Sequence, residues 1–294
     1  MEISKKTYGT IFALILIFIL AFAVRAHLMM YKYAFGFDTY YHGRMVGLIL
    51  QNGELPKIDP LGYYWYNDGE GFPLNANALS PIFYTFAIFA YRLLFGSGYS
   101  QTNLLFIMKL LPALYGALIS VAMYFLVKEL AGRKAGIYAA LFAAIVPAFV
   151  YRTMSGFFEE DSLGFLWMII GLAFTARAIK FNIVDKKSLF YSTCAGVFLG
   201  LMAWTWKMFI LIPVALGFYF VLQLAYFFIK PTLKRVLDGK NISIKMYLDE
   251  FTAIKPFLAN FIIICLIFSL LATAYWQTDW IITVSYTHLT LPTN

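Results

Sequence analysis

Long apolar runs, each about as long as a bilayer is thick, dominate this 294-residue chain and leave it few ways to fold. Runs of roughly 17–25 residues with almost no charge suit helices that cross a hydrocarbon core about 30 Å thick. In lipid every backbone polar group must be satisfied inside the segment, which favours helices over irregular chain. Candidate runs extend from about Tyr8 to Met29, Leu79 to Phe95, Asn103 to Val127, Ala135 to Phe149, Leu163 to Ala176, Leu189 to Trp206, Met208 to Phe228 and Phe257 to Trp276. Only 13% of the residues are charged, against about 25% in a soluble domain, so the predicted fold class is an all-α integral membrane protein.

The net charge of +8 fits that class without invoking nucleic acid, because Lys and Arg gather in cytoplasmic loops. No clustered basic face of the nucleic-acid-reading kind is visible, so no nucleic-acid partner is expected. Cys194 and Cys265 both fall in apolar runs and define neither a disulfide framework nor a metal site. Lys5 and Lys6 place the start of the first run in the cytoplasm, and the run reads as a retained helix, not a cleaved signal. The connectors Lys128 to Lys134, Arg177 to Lys187 and Lys230 to Lys255 are basic and read as cytoplasmic. If Leu79–Phe95 crossed the bilayer, Lys128 and its neighbours would fall on the wrong face. That stretch is therefore predicted to lie on the outer surface as an interfacial helix, leaving about seven spans.

The predicted organisation is one membrane domain over residues 1–284, with external segments at 31–102 and 150–162 and a tight turn around Trp204–Lys207. The string Ser285–Asn294 turns abruptly polar and uncharged and looks like translated adapter read-through; the natural protein is expected to continue past Val284. An aromatic group, Tyr63 to Tyr66, would suit sugar stacking or an interfacial belt. Asn241-Ile242-Ser243 has glycosylation-acceptor spacing but sits in a connector read as cytoplasmic.

Carboxylates survive near lipid only where water, a metal or a cation compensates them. Two acidic stretches stand at helix ends on the same predicted face: Asp38 in Phe37-Asp38-Thr39-Tyr40-Tyr41-His42-Gly43-Arg44, and Glu159-Glu160-Asp161 after Arg152-Thr153-Met154-Ser155-Gly156-Phe157-Phe158. Converging carboxylates repel unless a cation holds them, and hard oxygen ligands suit Mg²⁺ or Mn²⁺. Residues 159 and 161 point the same way along extended backbone, while Glu160 turns away. The same acids would also serve as helix caps on a wet rim. Arg44 and Arg152 suit either a phosphate group or a salt bridge to a neighbouring acid. His42 suits either a metal or an ordinary hydrogen bond.

These motifs resemble the catalytic subunit of oligosaccharyltransferase in its bacterial and archaeal single-subunit forms. Residues 152–161 look like that family's second external loop, in which an Arg-Thr-Met-Ser-Gly stretch and two aromatics precede an Asp-x-Asp-like motif; Glu159 stands where Asp is usual. Residues 37–44 are similar to its first-loop motif. The resemblance implies a polytopic helical bundle of the polyprenyl-linked-sugar glycosyltransferase type. It also implies a helix lying outside the membrane before the second span, in agreement with the charge-based reading of Leu79–Phe95.

The implied reaction moves an oligosaccharide from a polyprenyl phosphate or diphosphate donor to the Asn of an Asn-x-Ser/Thr acceptor polypeptide, outside the cytoplasm. Asp38 is the implied catalytic residue. Asp38, Glu159 and Asp161 are the implied ligands of Mn²⁺ or Mg²⁺, and Arg44, Arg152 and His42 the candidates for holding the lipid-linked donor. The family's later external loop with a further catalytic Glu, and its soluble domain with a Trp-Trp-Asp-Tyr-Gly motif, have no counterpart in residues 1–294. This chain alone is therefore expected to be inactive. The competing readings are a polyprenyl-phosphate-sugar glycosyltransferase with another acceptor, and a transporter or structural membrane subunit. The paired repeats and broken helices of transporters are not visible here.

The threading makes a direct prediction. A cysteine at Ser100, in a background free of Cys194 and Cys265, should react with a membrane-impermeant thiol reagent in intact cells. Labelling that appears only after permeabilisation would overturn the seven-span path.

Overall fold

The structure, a computed structural model, describes residues 5–54, 58–59, 72–73, 80–239 and 244–276. Tyr63–Tyr66, Asn241–Ser243 and Ser285–Asn294, singled out above, lie outside the described residues. The helices are α1 (Lys5–Ala26), α2 (Phe37–Asn52), α3 (Pro81–Phe95), α4 (Gln101–Ile145), α5 (Pro147–Thr153), α6 (Glu160–Ala178), α7 (Lys186–Ala203), α8 (Leu211–Leu237) and α9 (Ile244–Trp276). The purely helical expectation needs one small addition, a two-residue antiparallel ladder of β1 (Ile58–Asp59) on β2 (Phe72–Pro73). Among the described residues, five helical stretches are long and apolar enough to cross a bilayer: Thr7–Met30, Gln101–Ile145, Glu160–Ala178, Lys207–Leu237 and Phe251–Tyr275. The chain is an integral membrane protein.

The longest of these is not one rod. Gly132 interrupts α4 with φ 85° and ψ 174°, a conformation that favours glycine. Gly116 and Ala144 both meet the Arg25 side chain, although a straight helix would set them ~42 Å apart. The two halves of α4 therefore fold back on each other at Gly132, inside the basic connector predicted from the sequence. Gly136 lies so close to the first half that a Cβ there would stand 2.8 Å from the Tyr124 carbonyl oxygen. Helix α1 packs on both halves through Ile17, Ala21, Ala117, Tyr124, Ala140 and Ala144. Small side chains at such seams let backbones approach where no hydrophobic effect drives helices together.

One charged side chain ties this packing to the chain beyond it. Pro147 has no N–H to donate to Ala143, and Val146 before it is extended (ψ 125°), so α4 ends with carbonyls unsatisfied. Arg25, fully buried in the last turn of α1, supplies the missing donors. Its Nη2 donates to Ala143 O at 3.1 Å and its Nη1 to Ala144 O at 2.8 Å and Ala21 O at 3.0 Å. Its Nε donates to Thr153 Oγ1 at 2.7 Å. The cation also sits at the negative end of the α4 dipole. Gly116 gives it room, since a Cβ there would run into the Arg25 side chain and stand 2.6 Å from Thr153 Oγ1.

The chain divides into two compact units, Met1–Ile170 with Trp204–Trp206 and Gly171–Ala203 with Lys207–Asn294. The first holds α1 to α5, the start of α6 and the acidic stretches. Its α3 begins with Pro at the first turn and spans 15 residues, ~22 Å, too short for a ~30 Å core. It buries Phe83, Tyr84, Ala87 and Tyr91 and exposes Phe86, Phe89, Leu93 and Leu94.

In the second unit α7 packs on α9 through glycines. A Cβ on Gly196 would stand 2.7 Å from Ile267 Cβ, and one on Gly200 2.6 Å from Leu271 Cβ. Ser192 Oγ donates to Asn260 Oδ1 at 3.0 Å, and Asn260 Nδ2 donates to Ala178 O at 3.1 Å, closing the end of α6. Helices α8 and α9 both run on well past the apolar stretches read from sequence, into Lys- and Arg-bearing chain taken there for connector. Lys and Arg are good helix formers, so their charge ends an apolar run without ending a helix.

Replacing Arg25 with Met strands two carbonyls in an apolar setting and removes the Nε bond to Thr153 Oγ1, which should cost ~3 kcal/mol or more. Thermal unfolding of the purified protein in detergent should show a clear loss of stability for Arg25→Met and for Gly116→Leu. Unchanged unfolding in both would refute the bracing role of Arg25.

Candidate functional site

The acidic stretches meet because the two segments that carry them are stitched together largely by backbone groups. Phe35 N donates to Gly156 O at 2.8 Å, Phe158 N to the buried Thr39 Oγ1 at 2.9 Å, and Ser155 N to Arg25 O at 3.0 Å. The junction requires glycine twice. Gly156 (φ 94°) lies so close that a Cβ would stand 2.9 Å from Phe35 Cδ2, and at Gly36 (φ 85°) one would stand 3.0 Å from Glu159 Oε1. Aromatic rings fill the seam: Phe35 stacks on Phe157 at 6.2 Å, Tyr151 lies 4.9 Å from Phe157, and Phe83 lies 4.6 Å from Phe158. Lys109, from α4, donates to the carbonyls of Met29 and Tyr31 just before this seam.

Two helices begin here and both carry acids in the first turn, Asp38 in α2 and Glu160 and Asp161 in α6. The helix dipoles favour negative charge at these positions. Arg152 gathers the outer two acids of the triplet, with Nη1 3.4 Å from Glu159 Oε2 and Nη2 2.9 Å from Asp161 Oδ2. Residues 159 and 161 thus share one cationic partner, although Asp161 already belongs to α6 and the chain is not extended there as the sequence reading assumed. Glu160 turns away as expected. It goes to His42, whose Nε2 lies 2.6 Å from Glu160 Oε2 while Nδ1 pairs with Tyr84 OH at 2.9 Å.

Asp38 is exposed at the start of α2, near enough for its charge to act on Glu159. Arg44 is half-buried on α2, two positions past His42. Among the described residues no group of three or more His, Cys, Asp or Glu side chains is arranged to hold a metal ion. Glu159 and Asp161 nonetheless offer hard oxygen donors of the kind a divalent cation takes, with the Arg152 guanidinium as their counter-charge. Beside Arg152 and Asp161 opens a cavity of about 290 Å³, walled by Ala148, Phe149, Phe165 and Trp206.

Burial raises the Glu159 carboxyl above its usual range; the Asp161 charge adds to this, Arg152 opposes it, and Asp38 and Glu160 add further repulsion. The sequence did not point to Arg25, Thr39 or Tyr84. Their roles depend on partners far along the chain, and none carries a local pattern.

The first unit of this membrane helical scaffold thus presents an Arg-bridged carboxylate pair beside an apolar-walled cavity. The chain belongs to the oligosaccharyl transferase STT3 family, whose N-terminal family model matches residues 10–291. Dolichyl-phosphooligosaccharide-protein glycotransferase 3 of Archaeoglobus fulgidus is 26% identical over 222 residues, covering 71% of this chain and 24% of that protein. The archaeal oligosaccharyltransferase AglB of A. fulgidus, solved with an inhibitory peptide and a dolichol-phosphate, superposes with a TM-score of 0.62 at 19% identity. That match covers 98% of this chain and 35% of the other. The A. fulgidus enzyme solved with Zn and sulfate gives a TM-score of 0.60 at 19% identity, over 95% of this chain and 37% of the other. At such identity the likeness establishes the fold. The chain spans about a quarter of the length of the curated relatives it matches.

The raised Glu159 sets the sign of a pH effect. A carboxyl that holds its proton more tightly folded than unfolded favours the folded state at low pH, and that contribution is lost as pH rises through its folded value. Without divalent cation, the unfolding temperature should therefore fall as pH climbs from the ordinary carboxylate range through Glu159's raised one. Glu159→Gln should flatten that slope; an unchanged pH profile in the variant would contradict the assignment.

Proposed function

We propose that this chain is the membrane catalytic region of an oligosaccharyltransferase, moving an oligosaccharide from a polyprenyl phosphate or diphosphate carrier to Asn in an Asn-x-Ser/Thr acceptor. The observation that carries the reading is the stitched seam, in which the Arg152–Gly156 stretch holds Glu159 and Asp161 against the loop bearing Asp38, in a chain of this family. Residues 1–284 form the membrane domain, with external segments 31–102 and 150–162 on the face away from the cytoplasm, in the cell membrane. The path has seven crossings: α1, the two halves of α4, α6, α7, α8 and α9. The short α3 lies along the outer surface.

Asp38, Glu159 and Asp161 are the proposed ligands of a divalent cation, Mn²⁺ or Mg²⁺. Such an ion would stabilise negative charge developing on the departing phosphate. The remaining work falls to side chains. An amide nitrogen is a poor nucleophile because its lone pair is delocalised, so it must be held at the sugar's anomeric carbon. Asp38, exposed at the loop junction, accepts a hydrogen bond from that amide and aims it. Arg152 carries a guanidinium matched to phosphate oxygens and stands at the mouth of the apolar-walled cavity, a setting that suits a lipid-linked phosphate. Arg44 and His42 remain candidates for holding the donor, His42 through the same imidazole that meets Glu160.

The test is transfer from a lipid-linked oligosaccharide to an Asn-x-Thr peptide by the intact protein, titrated with Mn²⁺. Asp38→Ala should lower kcat by ~10²–10³-fold or more with a smaller change in peptide KM, the pattern of a lost transition-state contact. Near-normal turnover by Asp38→Ala would sink the proposal.

A further inference from the structure

The stretch Lys207–Leu237 is 31 residues long, ~46 Å as helix, and α9 is 33 residues, ~50 Å. Against a hydrocarbon core of ~30 Å, each must run well beyond the membrane interior. The overruns leave at the same end and brace each other: Thr232 Oγ1 lies 3.1 Å from Tyr247 OH, and the Phe228 and Tyr247 rings are 6.1 Å apart. The α8 overrun is two-sided. Ile229, Leu233, Val236 and Leu237 are all more than half exposed and recur at helical spacing along one side. Lys230, Lys234 and Arg235 occupy the rest of the circumference. Between residues 230 and 255 the chain has six basic and three acidic residues, a net charge of +3.

A stripe of exposed Leu, Ile and Val is costly in water, and basic residues are costly in hydrocarbon. Both are satisfied at the boundary between acyl chains and head groups. The stripe continues without a break from the exposed Phe218, Val221, Leu222 and Tyr226 surface of the same helix, so lipid and not another protein covers it. Aromatic residues mark the level: the Lys230 ammonium lies 5.0 Å from the centre of the Tyr226 ring, and that of Lys255 lies 6.0 Å from that of Phe251. We propose that the basic end of the α8–α9 hairpin binds anionic phospholipid head groups, with Lys230, Lys234 and Arg235 holding the phosphates. A zwitterionic lipid satisfies the apolar stripe equally well. The excess of basic residues selects the anionic one. This site is independent of the reaction proposed above.

The test is native mass spectrometry of the purified chain, titrated with phosphatidylglycerol or with phosphatidylcholine of the same acyl chains. Phosphatidylglycerol should bind at least ~10-fold more tightly, and the advantage should shrink as ammonium acetate rises from ~50 to ~500 mM. The triple variant K230Q/K234Q/R235Q should lose the preference. K128Q/R133Q/K134Q, which removes as many charges from the connector inside α4, should keep it. Equal binding of the two lipids by the wild-type chain, a preference that survives the α8 substitutions, or equal loss in both variants overturns the proposal.

Discussion

A guanidinium in the last turn of α1 does the work of amides that the end of α4 lacks. Pro147 cannot donate to Ala143, and the extended Val146 breaks the ladder, so two carbonyls would face an apolar interior unpaired. Arg25 fills both positions and reaches Thr153 as well, while its own carbonyl accepts from Ser155. One residue thereby fixes the angle between α1 and α4 and the start of the loop that bears Glu159 and Asp161. A Lys could not replace it, having a single nitrogen where four directed contacts are made. The burial of a charge this deep is tolerable because each donor meets a carbonyl or hydroxyl and the α4 dipole opposes the charge.

From this brace the site follows in order. Thr153 and Ser155 are held by Arg25, Gly156 by Phe35, and Phe158 by Thr39, so the acidic triplet leaves the seam with little freedom. Arg152 and His42 then divide the three carboxylates, two to the guanidinium and one to the imidazole. The division leaves Asp161 on the cavity wall and commits Glu160 to holding α6 against α2. Carboxylates this close are tolerable only under such partition, since burial and mutual repulsion already push Glu159 towards its neutral form.

Much of the scaffold was legible in the sequence because membrane spans announce themselves by length and charge. The reversal near Lys128–Lys134, the short helix ending at Phe95 and the turn after Ala203 all fall where basic residues or interrupted apolarity placed them. The overruns of α8 and α9 were not, since a charged helix and a charged loop read alike. In the site, the facing of residues 159 and 161 came from spacing, and the pairing of the two motifs from family resemblance. Arg25 escaped notice because a single charge near the end of an apolar run looks like a boundary marker. Its partners outside α1 are 118 to 128 residues away, and no local pattern encodes them. The His42–Glu160 contact was hidden for the same reason.

The distance between Arg25 and its partners also bears on how the protein is made. Helix α1 leaves the ribosome well before Ala143, Ala144 and Thr153 exist, and at about 5–20 residues per second that delay is on the order of ten seconds. Throughout it, the first helix carries a cation into or near lipid with nothing to receive it. The nascent α1 must therefore wait beside the insertion machinery, or tilt so that its guanidinium reaches the head groups, and settle to its final depth only when the second half of α4 arrives. A segment made early is thus among the last to be seated.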